Sequence, residues 1–496
     1  MTRTRSKAEF GDFQTPRALA KAVCELLLAR GTRPAALLEP NCGLGNLLFA
    51  GLDRFRDANV ALGFDINAGH LQEARTALEH RHDRGKVELI EADFYATDWP
   101  KVLDALPAPI LVLGNPPWVT NSRLGALESD NLPTKSNLHG WRGVEAITGK
   151  ANFDISEWML IQLIEALNGR QGTLAMLCKS AVARKVLGYA WKKGMGIANS
   201  AIYRIDADLH FDAAVDAALL VTQCGAANTE LHAAVFSSLQ SGTPETVIGY
   251  EEGTLLADID AYRGMAHLRG EEAIKWRSGV KHDCAKVMEL KREGTQFRNG
   301  FGELASLEDD YVYPLLKSSQ IAKKQRPAWR YVIVPQKTIG EDTRAIEETA
   351  PRTWNYLTSH GHLFQRRAST IYRNRPPFSV FGVGEYSFSP WKVAISGFYK
   401  TLSFVPLGPI EGKPVMLDDT AYFLPCRTGE QAEFLASLLN SPAAQTFYRS
   451  LVFWDAKRPV TADLLRRLDL RRLASELTVE DRFSAYFGKP NGLLFA

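Results

Sequence analysis

The chain has 496 residues, which is enough for two or three domains of ordinary size. Hydrophobic residues make up 45% and charged residues 23% of it, as in a globular protein with substantial cores. The net charge of only +3 excludes a strongly basic field over the whole molecule, so any surface for nucleic acid is expected to be local.

The spacing of the cysteines and the composition of the N-terminus indicate in which cellular compartment the protein is expected. No pair of cysteines has the C-x-x-C spacing, which argues against structural zinc and against a disulfide framework. The first nine residues carry positive charge without an apolar core behind it, and no apolar run approaches the ~20 residues of a membrane span. We therefore expect a cytoplasmic protein with no metal site and no membrane contact. The six cysteines are Cys24, Cys42, Cys178, Cys224, Cys284 and Cys426.

Predicted strands and helices alternate through the first half of the chain. A helix is predicted from Pro16, which suits a first helical position, to about Arg30. The alternation predicts an α/β fold with a parallel sheet covered on both faces, closed by a hairpin of its last two strands. Ligands of such sheets bind at the carboxyl ends of the strands. Strands are predicted over residues 35–39, 60–65, 87–93, 109–113, 172–178, 200–205 and 217–223.

A glycine loop follows the first of these strands. Gly43 and Gly45 allow a ligand to approach the backbone closely at the start of the next helix. Leu48 stands where the dinucleotide pattern has its third glycine, so no pyrophosphate site is predicted. Glu39, just before the loop, is placed to meet a cationic ligand.

The next two predicted strands also end in carboxylates. Asp65 occupies the position of an acceptor for a ribose diol. Asp93 can accept from an adenine amino group, and Phe94 can cover the adenine ring. Each carboxylate has the alternative of capping a helix or lying in a solvated turn.

The fourth strand runs into the turn Asn115-Pro116-Pro117-Trp118. Each proline fixes its own φ and restricts the residue before it, so the turn is stiff. The Asn115 side-chain oxygen and the Pro116 carbonyl can accept the two N–H groups of an exocyclic amine and localise its lone pair. Trp118 can stack on the base, a contact worth roughly 1–3 kcal/mol. The alternative is a proline-rich turn whose tryptophan only packs.

In these motifs the segment 10–223 resembles the S-adenosylmethionine-dependent DNA adenine-N6 methyltransferases whose cofactor motifs precede the catalytic motif. Residues 10–16 resemble the N-terminal motif of that family, which closes over the methionine carboxylate. The resemblance implies a Rossmann-like seven-stranded methyltransferase sheet, with Asn115, Pro116, Pro117 and Trp118 as the catalytic turn. It also places Phe211 against the extruded base beside Trp118, although a core phenylalanine is an equal alternative. The implied S-adenosylmethionine contacts are Thr15, Pro16, Glu39, Asn41, Gly43, Gly45, Asp65, Ile66, Asp93, Phe94 and Asn115.

The implied reaction is base extrusion followed by direct attack of the amine on the sulfonium methyl, without a metal or a covalent intermediate. No Pro-Cys nucleophile motif stands in a suitable loop, which argues against cytosine-C5 chemistry. Behind the catalytic turn, residues 120–150 form a polar insertion. It is either a DNA-contacting or lid segment or an ordinary surface loop. Its aromatic and basic residues include Lys135, His139, Trp141 and Arg142.

The strand–helix rhythm stops after Cys224, which predicts a boundary near residues 225–245. We predict a methyltransferase domain over residues 1–235 and a mixed α+β target-recognition domain, which binds DNA, over 245–496. No nuclease constellation is evident, so cleavage would belong to a companion restriction endonuclease; a monomer or weak dimer is expected. Basic residues near aromatics suit DNA contacts, with ordinary solvated faces as the alternative. The candidates are Lys281, Lys323, Lys324, Arg326, Arg366, Arg367 and Arg373.

Two other classes of function remain open. An enzyme with the same catalytic turn can act on ribosomal RNA or on a protein glutamine, because the turn serves any planar amide or amine. A DNA-binding subunit can also keep the fold without catalysis. The large second domain favours double-stranded DNA as the substrate, and the intact acceptors at Asn115 and Pro116 favour an active enzyme.

Overall fold

The computed structural model describes residues 14–119, 154–270, 274–324 and 330–488. The first four residues of the predicted N-terminal motif (10–13), the whole insertion 120–150 and Arg326 lie outside the described residues. The chain divides into two compact units, Met1–Ile259 and Asp260–Ala496. No described helix combines the length and the apolar character that a membrane span needs.

The first unit is an α/β structure. Its strands are β1 (Ala36–Glu39), β2 (Val60–Asp65), β3 (Val87–Glu91), β4 (Ile110–Gly114), β5 (Gly172–Lys179), β6 (Ile197–Asp206), β7 (Asp216–Cys224), β8 (His232–Phe236), β9 (Thr246–Glu251) and β10 (Thr254–Leu256). Its helices are α1 (Arg17–Ala29), α2 (Asn46–Arg54), α3 (Ala68–Glu79), α4 (Trp99–Asp104), α5 (Ile155–Leu167), α6 (Ser180–Lys193) and α7 (Ala207–Phe211).

Side-chain caps and glycines set several helix ends. Asn67 accepts from the backbone N–H groups of Gly69 and His70 at the start of α3. Asp98 and Asp154 cap α4 and α5 in the same way. Gly194, in the left-handed region with φ 64°, ends α6. These residue types satisfy backbone groups that a helix end leaves unpaired.

The strands form one sheet in the order β10-β9-β8-β6-β7-β5-β4-β1-β2-β3. The five strands from β3 to β5 pair in parallel, and β7 is antiparallel to both β5 and β6. All residues of β1 and β4 are buried, as expected when helices cover both faces. This arrangement confirms the predicted seven-stranded Rossmann-like sheet.

Strands β8, β9 and β10 extend the sheet beyond β6. The division between the two units therefore falls after Ile259, later than the boundary that we predicted near residues 225–245. The strand–helix rhythm ends after β7 because these three strands follow one another without a described helix between them. The loss of that rhythm thus precedes the end of the sheet.

The second unit is mixed α+β. Its strands are β11 (Arg277–Ser278), β12 (Glu289–Glu293), β13 (Gln296–Arg298), β14 (Leu304–Ala305), β15 (Val312–Leu316), β16 (Tyr331–Ile333), β17 (Trp391–Ser396), β18 (Val405–Leu407), β19 (Met416–Leu417) and β20 (Ala421–Cys426). They form two sheets, β11-β20-β17-β18 and β14-β13-β12-β16-β15-β19.

Helices lie between these strands and at the end of the unit, and α8 (Ile259–Met265) stands at the division between the units. The others are α9 (Ala285–Met288), α10 (Ser318–Ala322), α11 (Ile346–Thr349), α12 (Pro351–Ser359), α13 (Gly361–Gln365), α14 (Gly429–Leu439), α15 (Pro442–Leu451), α16 (Ala462–Leu465), α17 (Leu470–Glu476) and α18 (Glu480–Phe487). The mixed architecture agrees with the predicted fold class.

Candidate active site

The carboxyl ends of β1, β2, β3 and β4 meet at one edge of the first sheet. Parallel pairing sets Glu39 opposite Gly63 and Asp65 opposite Glu91, so neighbouring strands end at nearly the same level. The glycine loop, Asp65, Asp93 and the Asn115 turn all follow these ends. The fold thus brings most predicted site residues to one edge.

The glycine loop adopts a conformation that favours glycine at two positions. Gly43 has φ 50° and Gly45 has φ 75°, both in the left-handed region. A Cβ atom at Gly43 would lie 2.3 Å from Gln14 Oε1, and that same oxygen accepts from Leu44 N–H at 3.0 Å. Gln14 therefore packs directly on the loop.

The start of the described chain lies on this loop as well. Thr15 is buried, and its carbonyl accepts from Asn46 Nδ2 at 2.9 Å. Pro16, the next residue, precedes α1. The family resemblance implies cofactor contacts at Thr15 and Pro16, and Gln14 from the same motif is an addition that the structure makes.

Asp65 ties β2 to the glycine loop. Its Oδ2 accepts from Gly43 N–H at 2.7 Å, and its Oδ1 accepts from Asn67 N–H at 2.8 Å. Ile66 beside it is 54% exposed, which leaves an apolar surface next to the carboxylate. This pairing can hold the loop and still offer the free lone pairs of the carboxylate to a ligand.

Asp93 and Phe94 start a turn after β3. Asp93 Oδ1 accepts from Tyr95 N–H at 2.9 Å. Phe94 is buried, with its ring centroid 4.7 Å from that of Trp99 and 6.1 Å from that of Trp158. Trp158, on α5, did not figure in the sequence analysis. No motif marked it, because α5 reads as an ordinary buried helix.

Glu39 caps a helix. Its side chain is buried, and its Oε2 accepts from Leu48 N–H, the third residue of α2, at 2.8 Å. Burial raises the pKa of Glu39 well above its ordinary value of 4.5, and the Leu48 hydrogen bond acts in the opposite direction. The predicted contact of Glu39 with a cationic ligand stays a prediction.

Glu39→Gln is expected to stabilise the protein at neutral pH, because glutamine keeps an acceptor for Leu48 without a buried ionisable group. The wild type should lose stability as the pH rises above about 4.5, since the unfolded carboxyl ionises there and the folded one resists ionisation. Each unit of pKa difference corresponds to about 1.4 kcal/mol. Thermal midpoints between pH 5 and pH 8 measure this, and parallel curves for the two proteins would contradict it.

Asn41, between Glu39 and the glycines, has a buried side-chain oxygen. Its Oδ1 finds no hydrogen-bond partner within the described residues. A buried acceptor without a partner costs free energy, roughly 1–3 kcal/mol. A donor supplied by a ligand would remove that cost.

The predicted catalytic turn, residues 115–118, begins where β4 ends. Gly114 is paired with Met176 of β5, and Asn115 after it is partly buried. Pro116 is buried and Pro117 is half-buried. A Cβ at Gly114 would lie 3.6 Å from Cδ of Pro40, which precedes the glycine loop, so the turn and the loop are close neighbours.

Trp118 and Phe211 form an edge-to-face pair. Their ring centroids are 5.0 Å apart with an interplanar angle of 73°. Trp118 is 6% exposed, and its Nε1 donates to the carbonyl oxygen of Leu177 at 3.4 Å. The structure therefore brings together the two aromatics that we predicted from separate parts of the sequence, and both rings are mostly buried.

The predicted DNA-binding residues of the second unit have different surroundings. Lys323, Lys324, Arg366 and Arg373 are exposed. Lys281 is partly exposed and pairs with Asp283 at 2.8 Å and with Asp419 at 3.7 Å.

Arg367 faces inward within this unit. It donates to the carbonyl oxygens of Ser379 at 2.7 Å and His282 at 3.2 Å, and its guanidinium lies 3.6 Å from the centroid of the Tyr372 ring. Burial lowers the pKa of Arg367 from its ordinary value. These contacts give Arg367 a packing role.

A buried carboxylate in the second unit joins three basic side chains. Glu289 lies 2.7 Å from Lys317 Nζ, 3.3 Å from Arg330 and 3.6 Å from His282 Nε2. Burial alone raises the pKa of Glu289, but the contacts with His282 and Lys317 outweigh it and lower the pKa to about 2. Local sequence patterns do not connect these residues, because they come from four separate segments.

Comparison with known proteins decides the family. The type II methyltransferase M.NspV of Nostoc sp. (strain ATCC 29411 / PCC 7524) is 44% identical to this chain over 472 residues, which cover 95% of this chain and 98% of the relative. The chain belongs to the type II methyltransferase family. This confirms the predicted restriction-modification methyltransferase family, although no sequence model of a protein family matches the chain.

A solved structure has a fold similar to that of this chain. The type IIL restriction-modification enzyme MmeI, solved in complex with DNA, aligns with a TM-score of 0.53 at 14% identity. The alignment covers 96% of this chain and 68% of MmeI. At that identity the likeness supports the fold alone, and it includes both units of this type II methyltransferase.

Proposed function

We propose that this protein transfers a methyl group from S-adenosylmethionine to the N6 amino group of adenine in double-stranded DNA, after flipping the base out of the helix. The observation that carries the proposal is the catalytic turn, with Asn115 and Pro116 at the end of β4 and Trp118 against Phe211. We propose that the first unit is the methyltransferase domain and the second the target-recognition domain.

The strand-end residues fit S-adenosylmethionine. Gly43 and Gly45 let the loop take its left-handed turns, Asp65 offers a carboxylate beside exposed Ile66, and the buried Asn41 Oδ1 has no partner among the described residues. Thr15, Pro16, Asp93 and Phe94 would complete the site. When bound, this cofactor supplies an electrophilic methyl group on a sulfonium. Gln14 would position the loop from outside.

The catalytic turn is suited to an aromatic amine. Asn115 Oδ1 and the Pro116 carbonyl would accept the two N–H groups of adenine N6, which localises the nitrogen lone pair for attack on the methyl group. Trp118 would stack on the base and Phe211 would support it. Acceptors aimed at charge that develops on the nitrogen are the main way in which a rigid turn lowers the barrier.

Base flipping is needed to bring the adenine amino group to the methyl donor. The N6 amino group of a stacked adenine cannot reach a donor held at the edge of this sheet. Extruding the base costs a few kcal/mol, which contacts in the pocket offset. The aromatic pair and the two acceptors would be among these contacts.

The family supports DNA as the substrate. The relative is a type II methyltransferase, and MmeI is a restriction-modification enzyme solved on DNA. In the second unit, exposed Lys323, Lys324, Arg366 and Arg373 suit phosphate contacts. We propose that the protein is the modification enzyme of a restriction or defence system, with a separate restriction endonuclease as its companion.

Transfer of label from methyl-labelled cofactor tests the proposal. Duplex DNA, ribosomes and a release factor are offered separately, and the labelled DNA is digested to nucleosides. N6-methyladenine is the expected product. Label in cytosine would overturn the choice of base, and label only in ribosomes or the release factor would overturn the choice of DNA. No label in any substrate, with DNA binding retained, would indicate a non-catalytic subunit.

A further inference from the structure

We infer that Lys179, through its pairing with Asp154, is a positioning residue that holds the catalytic turn and so orients Trp118. The inference deepens the proposed function and rests on it, since Trp118 matters for transfer only if it contacts the target base. Neither Lys179 nor Asp154 belongs to the motifs that identified the site.

Lys179 is the last residue of β5 and reaches across to the turn that follows β4. Its Nζ donates to the carbonyl oxygen of Trp118 at 2.9 Å and lies 2.6 Å from Asp154 Oδ2. The two strands are parallel, with Gly114 opposite Met176. Lys179 therefore lies three residues beyond the last paired position, at the level of the turn.

Asp154 links the same lysine to α5. The carboxylate is buried, and its Oδ1 accepts from both the backbone N–H and the hydroxyl of Ser156. Asp154 thereby caps α5. The next backbone N–H, that of Ile155, donates to the carbonyl oxygen of Val119 at 2.9 Å. One ammonium group thus joins the end of the catalytic turn to the start of α5.

Strand β5 holds Trp118 at two points. Lys179 binds its backbone carbonyl, and the carbonyl oxygen of Leu177, two residues earlier on the strand, accepts from its indole Nε1 at 3.4 Å. Phe211 packs edge-to-face with the ring. If Lys179 no longer held the backbone, the indole would pivot on the weaker contact. A misplacement of about 1 Å near reacting groups can lower turnover about 100-fold.

A purely structural role is the competing explanation, and a second ion pair separates the two. Lys185 Nζ lies 2.6 Å from the buried Glu157 carboxylate and joins α6 to α5. Glu157 is three residues after Asp154, on the same helix. The Lys185–Glu157 pair therefore has the same N···O distance as the Lys179–Asp154 pair, and both carboxylates lie at the start of α5. Within the described residues, the Lys185 pair makes no contact with the catalytic turn.

The experiment compares Lys179→Met, Lys179→Arg and Lys185→Met in the full-length protein, with DNA that the wild type methylates. For Lys179→Met we expect kcat to fall at least about tenfold, with cofactor affinity and KM for the cofactor within about twofold of wild type. Lys179→Arg should recover most of the turnover, because arginine keeps the donors. Lys185→Met should lower the thermal midpoint and leave kcat unchanged.

Three outcomes would overturn the inference: Lys179→Met with wild-type kcat, an equal loss of kcat in Lys185→Met, or no recovery in a folded Lys179→Arg. If Lys179→Met does not fold, Asp154→Asn replaces it, because asparagine keeps an acceptor for Ser156 and loses the charge that holds the lysine. That variant should also lose turnover. A wild type that methylates no DNA would instead refute the proposed function itself.

Discussion

Asn115→Ala is expected to abolish methyl transfer, with turnover reduced at least about a hundred- to a thousandfold. The substitution removes one of the two acceptors that localise the lone pair of the target amine. It leaves the Pro116 carbonyl, the Trp118–Phe211 pair and the glycine loop in place. Cofactor binding should stay largely intact. Single-turnover methyl transfer and calorimetric titration of the cofactor measure the two effects separately.

Asn168→Ala provides the matched control for this loss. Asn168 follows α5, and its Oδ1 accepts from Gly196 N–H at 3.3 Å, at the opposite end of β5 from the catalytic turn. The same atoms are deleted in both variants, so the control reports any general cost of losing an asparagine amide in this unit. Near-normal turnover of Asn115→Ala would show that the assigned mechanism is wrong.

Asp65→Ala is expected to weaken cofactor affinity on the order of tenfold to a hundredfold. Hydrogen bonds to a charged group are worth about 1.5–3 kcal/mol, and this carboxylate accepts from Gly43 N–H and, in the proposed site, faces the ribose. The loss should appear in the dissociation constant of the cofactor. Asp65→Asn should fall between wild type and alanine, because one of its two acceptor oxygens is replaced by a donor nitrogen.

Asp469→Ala serves as the comparison for Asp65→Ala. Asp469 also accepts from two backbone N–H groups, those of Arg471 and Arg472, but it lies in the second unit. Its loss should lower stability through the lost helix cap, by roughly 0.5–2 kcal/mol, without changing cofactor affinity. Unchanged affinity in Asp65→Ala would remove Asp65 from the cofactor site.

Local patterns carried the prediction of the first sheet. Strands β1, β2 and β4 are short apolar runs that stop at loop residues, and such runs form buried strands whatever their neighbours are. Because parallel strands end at one edge, the residues that follow them meet there. This is why Asp65, the glycines and the catalytic turn were predicted as one site before any distance was known.

Local patterns do not predict contacts between segments that are distant in the sequence. Glu39 reads as a ligand-facing carboxylate, yet its partner is the N–H of Leu48, and that contact depends on how α2 packs over β1. Strand β8 joins the first sheet by pairing with β6, and β9 and β10 continue the sheet from β8. The residues of β8 alone do not predict that it pairs with β6. Pairing of this kind depends on the edge that the rest of the sheet leaves open.

The amino-acid sequence alone determined the α/β class of the first unit, the positions of its seven main strands along the chain and the residues at their ends, because hydrophobic period and turn chemistry are local properties. Tertiary structure alone decided which side chains support those ends. Lys179 reaches Trp118 across 61 positions of the chain, and Asp154 reaches Lys179 from the start of α5. The residues around Lys179 do not predict its partner, because the contact with Trp118 forms only when β4 and β5 lie side by side.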